Sequence, residues 1–129
     1  MSDYAFYNKS LLSNESIIAF PKGAANDSEA YKKLSDQFEI FSYTDIHDLD
    51  KILLEQKCDI MYCIKYGKKD GIISNTVKTV VHCVFDLSQP HGDVFAAVSS
   101  TLAKKFNYPL FVPHMVGLKN LIILYLYHI

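Results

Sequence analysis

The sequence predicts an α/β domain built on a mostly parallel sheet, and two observations carry that reading. Its apolar runs are short and rich in β-branched and aromatic residues, as in Thr79–Phe85, Val94–Val98 and Leu110–Val112, which suits buried strands. Such runs alternate with segments of helical periodicity, and alternation of this kind implies parallel strands joined by right-handed crossovers. A chain of 129 residues, half of them apolar, suffices for one domain with a sizeable core.

Taken in order, Tyr4, Tyr7 and Leu11 share one helical face, so Asp3–Leu12 reads as a helix ended by Ser13-Asn14. Ser16–Phe20 reads as a strand closed by Pro21 and Gly23. Asn26 and Glu29 have capping-box spacing, and Ala30, Tyr31 and Leu34 form the expected buried stripe of a second helix. Phe38–Tyr43 reads as strand. Asp45 then caps a third helix with the stripe Ile46, Leu49, Ile52 and Leu53, and Asp59–Lys65 is the next strand. After the strands Thr79–Phe85 and Val94–Val98, Ser99-Ser100 caps a short helix, Thr101–Phe106, and Tyr108-Pro109 breaks it before Leu110–Val112.

Composition excludes some partners. Net charge is −1 and no run of Lys or Arg exceeds two, so neither a nucleic-acid nor an anionic-membrane surface is expected. The start MSDYAFYNKS lacks a basic n-region and an apolar h-region, and no apolar run reaches bilayer length; the expected location is cytoplasmic. Cys58, Cys63 and Cys83 fit neither a zinc site nor a redox pair, and Cys63 and Cys83 read as small buried hydrophobes.

Ligands of open α/β sheets sit at the carboxyl ends of strands. His82 ends one strand, and the loop after it carries Pro90, His91, Gly92 and Asp93. Gly92 allows close backbone approach, Pro90 stiffens the entry, and His91 and Asp93 supply mixed donors and acceptors. The rival readings are a core histidine for His82 and a structural turn for His91–Asp93, with Asp93 binding backbone groups. Lys65 and Asp70 flank another strand end, in a turn that lacks Walker spacing. Lys65 could meet a phosphate or hydroxyl, and Tyr66 could stack on a sugar or base. His82 and the His91–Asp93 turn are expected to share one rim. A metal set of His82, His91, Asp93 and His114 is conceivable, but nothing in the spacing makes these residues converge, so no metal is assigned. Ser99 and Ser100 suit caps better than nucleophiles.

The ordered set Tyr62-Cys63-Ile64-Lys65 to Asp70-Gly71, Val80-Val81-His82, Pro90-His91-Gly92-Asp93, Ala96-Ala97-Val98-Ser99 and Val112-Pro113-His114-Met115-Val116 resembles the amino-terminal, acceptor-side domain of GT-B glycosyltransferases. The resemblance implies a three-layer Rossmann-like domain over residues 1–116, lacking the family's first strand and its second, donor-binding domain, with an apolar tail at 117–129. It implies transfer of a sugar from a nucleotide-sugar donor to a hydroxyl acceptor, with no metal or other cofactor, and a fragment inactive alone. On that reading the acceptor is a sugar or glycan, and a partner is a carboxy-terminal GT-B domain. His82, His91, Gly92, Asp93, Lys65 and Asp70 are then substrate-binding, none of them catalytic, and His82 faces the bound sugars. The alternatives are a non-catalytic module that binds a sugar or protein, and an inert gene remnant. Leu118–Ile129 is apolar all round, so it is expected to cover a sheet edge or mediate self-association through Leu121–Ile129.

Overall fold

The computed structural model describes residues 2–24 and 27–114. The chain divides into two units, Met1–Ser16 with His114–Ile129, and Ile17–Pro113. In the first, α1 (Ser2–Leu12) ends at Ser13, whose N–H still bonds the Lys9 carbonyl at 3.0 Å while its φ of 57° turns the chain out of the helix. Asn8 donates to the Ser16 hydroxyl at 2.9 Å and accepts from the Asn14 side chain at 3.1 Å, tying the exit segment back to the helix.

The second unit runs β1 (Ile18–Pro21), α2 (Ser28–Ser35), β2 (Ile40–Tyr43), α3 (Ile46–Glu55), β3 (Ile60–Lys65), β4 (Lys78–Cys83), β5 (Val94–Ala97) and α4 (Ser100–Lys105). The expected order of elements is present and every strand pairing is parallel, so the chain is α/β. The expected single sheet is instead two among the described residues: β1–β2, and β3–β4–β5 in that order. Leu110–Val112 contributes one bridge, Ala97 to Phe111, with the Ala97 N–H on the Leu110 carbonyl at 3.0 Å and the Val112 N–H on the Ala97 carbonyl at 2.8 Å.

Register partners in a parallel pair share a face, so Met61 and Cys63 line up with Thr79, Val81 and Cys83, and these with Phe95 and Ala97. Both α3 and α4 cover that face. Leu49 and Leu53 of α3 bury against Met61, with Ala19 and Tyr43 from the other sheet joining the cluster. Ala103 of α4 buries against Val81, Cys83, Leu87, Phe95 and Ala97. The Asp45 carboxylate caps α3 through the Asp48 N–H, and the Ser99 hydroxyl caps α4 through the Leu102 N–H, as the sequence predicts.

Three expectations need correction. The cap of α2 is Asp27, which accepts from the Ala30 N–H at 2.9 Å, and Asn26 lies outside the described residues. That helix buries none of its residues, and Tyr31 is exposed, because a two-stranded sheet offers little apolar surface to cover. Finally, β4 stops at Cys83: the Val84 N–H still bonds the Lys65 carbonyl in ladder register, but the Phe85 N–H turns to the Tyr66 carbonyl and Phe85 is left exposed. No described helix is long and apolar enough to cross a membrane, and the tail 118–129 lies outside the described residues.

Candidate functional site

Two irregular loops, 66–77 and 84–93, connect the three strands of the larger sheet, and their first turns are latched together at the carboxyl ends of β3 and β4. The Tyr66 carbonyl accepts from the Phe85 N–H at 3.1 Å and the Asp86 N–H at 3.0 Å. Sγ of the buried Cys83 lies 3.3 Å from that carbonyl and 3.1 Å from the Asp86 carbonyl. Burial pushes the Cys83 thiol up, so it keeps its proton and donates to one carbonyl or the other. Gly67, at φ +131°, passes so close to Asp86 that a Cβ there would lie 1.9 Å from the Asp86 oxygen. The loops lock because this position has no side chain.

Lys65 and Asp70 meet in this loop. The Lys65 ammonium, its side chain only 8% exposed, donates to Asp70 Oδ1 and to the Ile72 carbonyl, each at 2.6 Å. Asp70 Oδ1 also accepts from the Ile72 N–H at 3.0 Å. Partial burial opposes ionisation of Asp70, but the bonds from Lys65 and Ile72 outweigh it and hold the carboxyl below its usual range. The pair is spent on shaping the loop, and Lys65 is not presented to solvent. Beside it the Tyr66 and Phe85 rings project outward with centroids 5.3 Å apart.

His82 is 1% exposed, so its ring lies in the interior. Nε2–H donates to the Val112 carbonyl at 2.8 Å, and Nδ1 shares a 2.6 Å hydrogen bond with the Tyr62 hydroxyl. The ring thus spans from β3 to the segment beyond β5. Its register partner Ala96 is small and equally buried, which leaves room for the crossing.

The His91–Asp93 turn lies elsewhere. Asp93 accepts from the Thr79 N–H at 2.8 Å and from the Lys78 ammonium at 2.9 Å, both at the amino end of β4. Those two donors hold its carboxyl below the usual range. His91 Nδ1–H donates to the Gln89 carbonyl at 2.7 Å, and its ring leans on Phe95. A Cβ on Gly92 would lie 3.0 Å from both the Thr79 carbonyl and Val81 Cγ2. The loop leaves the carboxyl end of β4 but must return to the amino end of the parallel strand β5. The expectation of one shared rim is therefore corrected: His82 and the turn belong to opposite ends of β4.

Sequence reasoning missed Asp50. It is 7% exposed on α3 and accepts from the Ser74 hydroxyl, from the Asn75 N–H at 3.2 Å and from the Thr76 hydroxyl at 3.3 Å. Burial opposes its charge, yet these donors prevail and hold it below the usual range. A signal existed: Asp50 stands four residues after Ile46 on an apolar stripe, and Ser74-Asn75-Thr76 offers clustered donors. Asp50→Ala is expected to cost about 2 kcal/mol of stability in urea unfolding. A carboxyl depressed in the fold contributes fully above its unfolded pKa of about 4, and the contribution is lost as pH falls through the lower folded value. The gap between wild type and variant should therefore narrow below about pH 4.

Among the described residues no three His, Cys, Asp or Glu side chains gather as a metal site, the set His82, His91, Asp93 and His114 included. Burial is the leading cause raising the thiols of Cys58, Cys63 and Cys83 above their ordinary range. What the geometry does assemble at the carboxyl ends is a rigid double loop with two aromatic rings and a carboxylate on its outer side. Comparison with family models, with curated proteins and with solved structures gave no match.

Proposed function

We propose that this chain is the acceptor-side half of a GT-B glycosyltransferase, which moves a sugar from a nucleotide-sugar donor to a hydroxyl once a donor-binding domain is supplied. The observation that carries the reading is the sheet β3–β4–β5, parallel throughout, with Val80–His82, Ala96-Ala97 and the Phe111 bridge in the resemblance's order. The division into two parallel sheets that share the α3 cluster also supports it. On this reading the family's first strand, which pairs in the middle of the sheet, belongs between them and completes a three-layer Rossmann-like fold.

The roles of the candidate residues change within that proposal. Lys65 and Asp70 shape the acceptor rim, His82 braces the sheet beneath it, and Asp93 fixes the return into β5. Catalysis rests on positioning the acceptor and on stabilising the departing phosphate, whose binding groups the proposal assigns to the second domain. The chain alone is therefore expected to transfer no sugar from a panel of nucleotide sugars to hydroxyl acceptors, as followed by nucleotide release. Turnover by the chain alone would sink the proposal.

A further inference from the structure

We propose that Tyr66, Phe85 and Asp86 form a carbohydrate platform on which one pyranose ring stacks; that the ring belongs to the acceptor rests on the transferase reading. Tyr66 is 60% exposed and Phe85 61%, an unusual amount of aromatic surface to leave side by side in water. With centroids 5.3 Å apart and planes tilted by 36°, the two rings pack against each other and present one joined aromatic surface.

The platform is rigid. Both rings are carried by backbone that the Tyr66 carbonyl and Gly67 latch together. A ligand meeting it pays little to order the loops.

The chemistry selects the occupant. A pyranose has one face of C–H groups, which suits aromatic rings, and equatorial hydroxyls at its edge that donate. Asp86 stands directly beside Phe85. Its Oδ1 takes the Ser88 N–H at 2.9 Å, and a carboxylate has further lone pairs to offer. The Ser88 bonds, with Lys68 and Lys105 nearby, hold it below the usual range and so ionised. A purely apolar surface, such as lipid chains, covering both rings would strip water from that charge without replacing it. A polyol supplies donors in place of the water.

The test uses the full chain and ligand-observed NMR with methyl glucosides, maltose and cellobiose. Saturation transfer to ring C–H protons is expected from at least one of them, with Tyr66 and Phe85 aromatic resonances shifting in the complex. Phe85→Ser and Tyr66→Ser should each weaken binding about tenfold, and Asp86→Asn severalfold. Tyr66 and Phe85 are exposed and Asp86 is half-buried, and circular dichroism checks that the variants stay folded. No binding by any probe, or binding unchanged in both aromatic variants, overturns the platform. Sugar bound here by a chain that transfers nothing even with a donor domain would leave the platform standing and remove the transferase reading.

Discussion

Gly67→Ala is expected to destabilise the protein by about 3 kcal/mol or more, measured by urea unfolding. Alanine at φ +131° is strained on its own, and its Cβ would stand 1.9 Å from the Asp86 carbonyl oxygen and 2.5 Å from Cys83 Sγ. Neither obstacle is the free end of a flexible side chain. The Asp86 N–H is bonded to the Tyr66 carbonyl, and Cys83 is fully buried in β4. Relief therefore requires parting the two loops, which also gives up the bonds between them. Gly71→Ala is the control: Gly71 has φ +78° but nothing within 4 Å of its added Cβ, so it should cost only the left-handed strain of about 1–2 kcal/mol. Equal costs at the two positions would mean that the loops are not latched.

The second large effect is expected at His82. His82→Leu retains an apolar side chain but leaves the Val112 carbonyl and the Tyr62 hydroxyl without the ring between them, at a cost of about 2–3 kcal/mol. His82→Ala should cost still more by adding a cavity. Tyr62→Phe removes the hydroxyl bonded to His82 and should cost about 1 kcal/mol, less than additively with His82→Leu, because the two changes break the same bond. A His82→Leu variant as stable as wild type would show that the ring does not brace the sheet.

Much of the fold was legible because short apolar runs and helical stripes do not compete for the same periodicity here. Asp45 and Ser99 announced their helices, since a free carboxylate or hydroxyl before an apolar stripe has backbone N–H groups to satisfy. The end of β4 was not legible: Val84 and Phe85 are good strand residues, and what ends the strand is the Tyr66 carbonyl, some twenty residues away in sequence, which takes the Phe85 and Asp86 N–H groups. The same non-local closure hid Phe85 and Asp86 as surface groups. Lys65 and Asp70 were visible as a pair of charges near a strand end, but whether such a pair faces solvent or itself depends on the path of the loop between them. His91 and Asp93 misled for a topological reason. They follow β4 in sequence, yet a parallel return places them at the start of β5.

The role proposed for this chain is the acceptor side of a two-domain sugar transferase. Its most direct test is product formation when the chain is fused or mixed with a carboxy-terminal GT-B domain, across nucleotide-sugar donors and glycan acceptors, read by mass of the glycosylated acceptor. Product is expected only when both parts are present, reduced by Phe85→Ser with the fold intact. No product in any combination in which the two parts demonstrably associate and the donor is bound would contradict it.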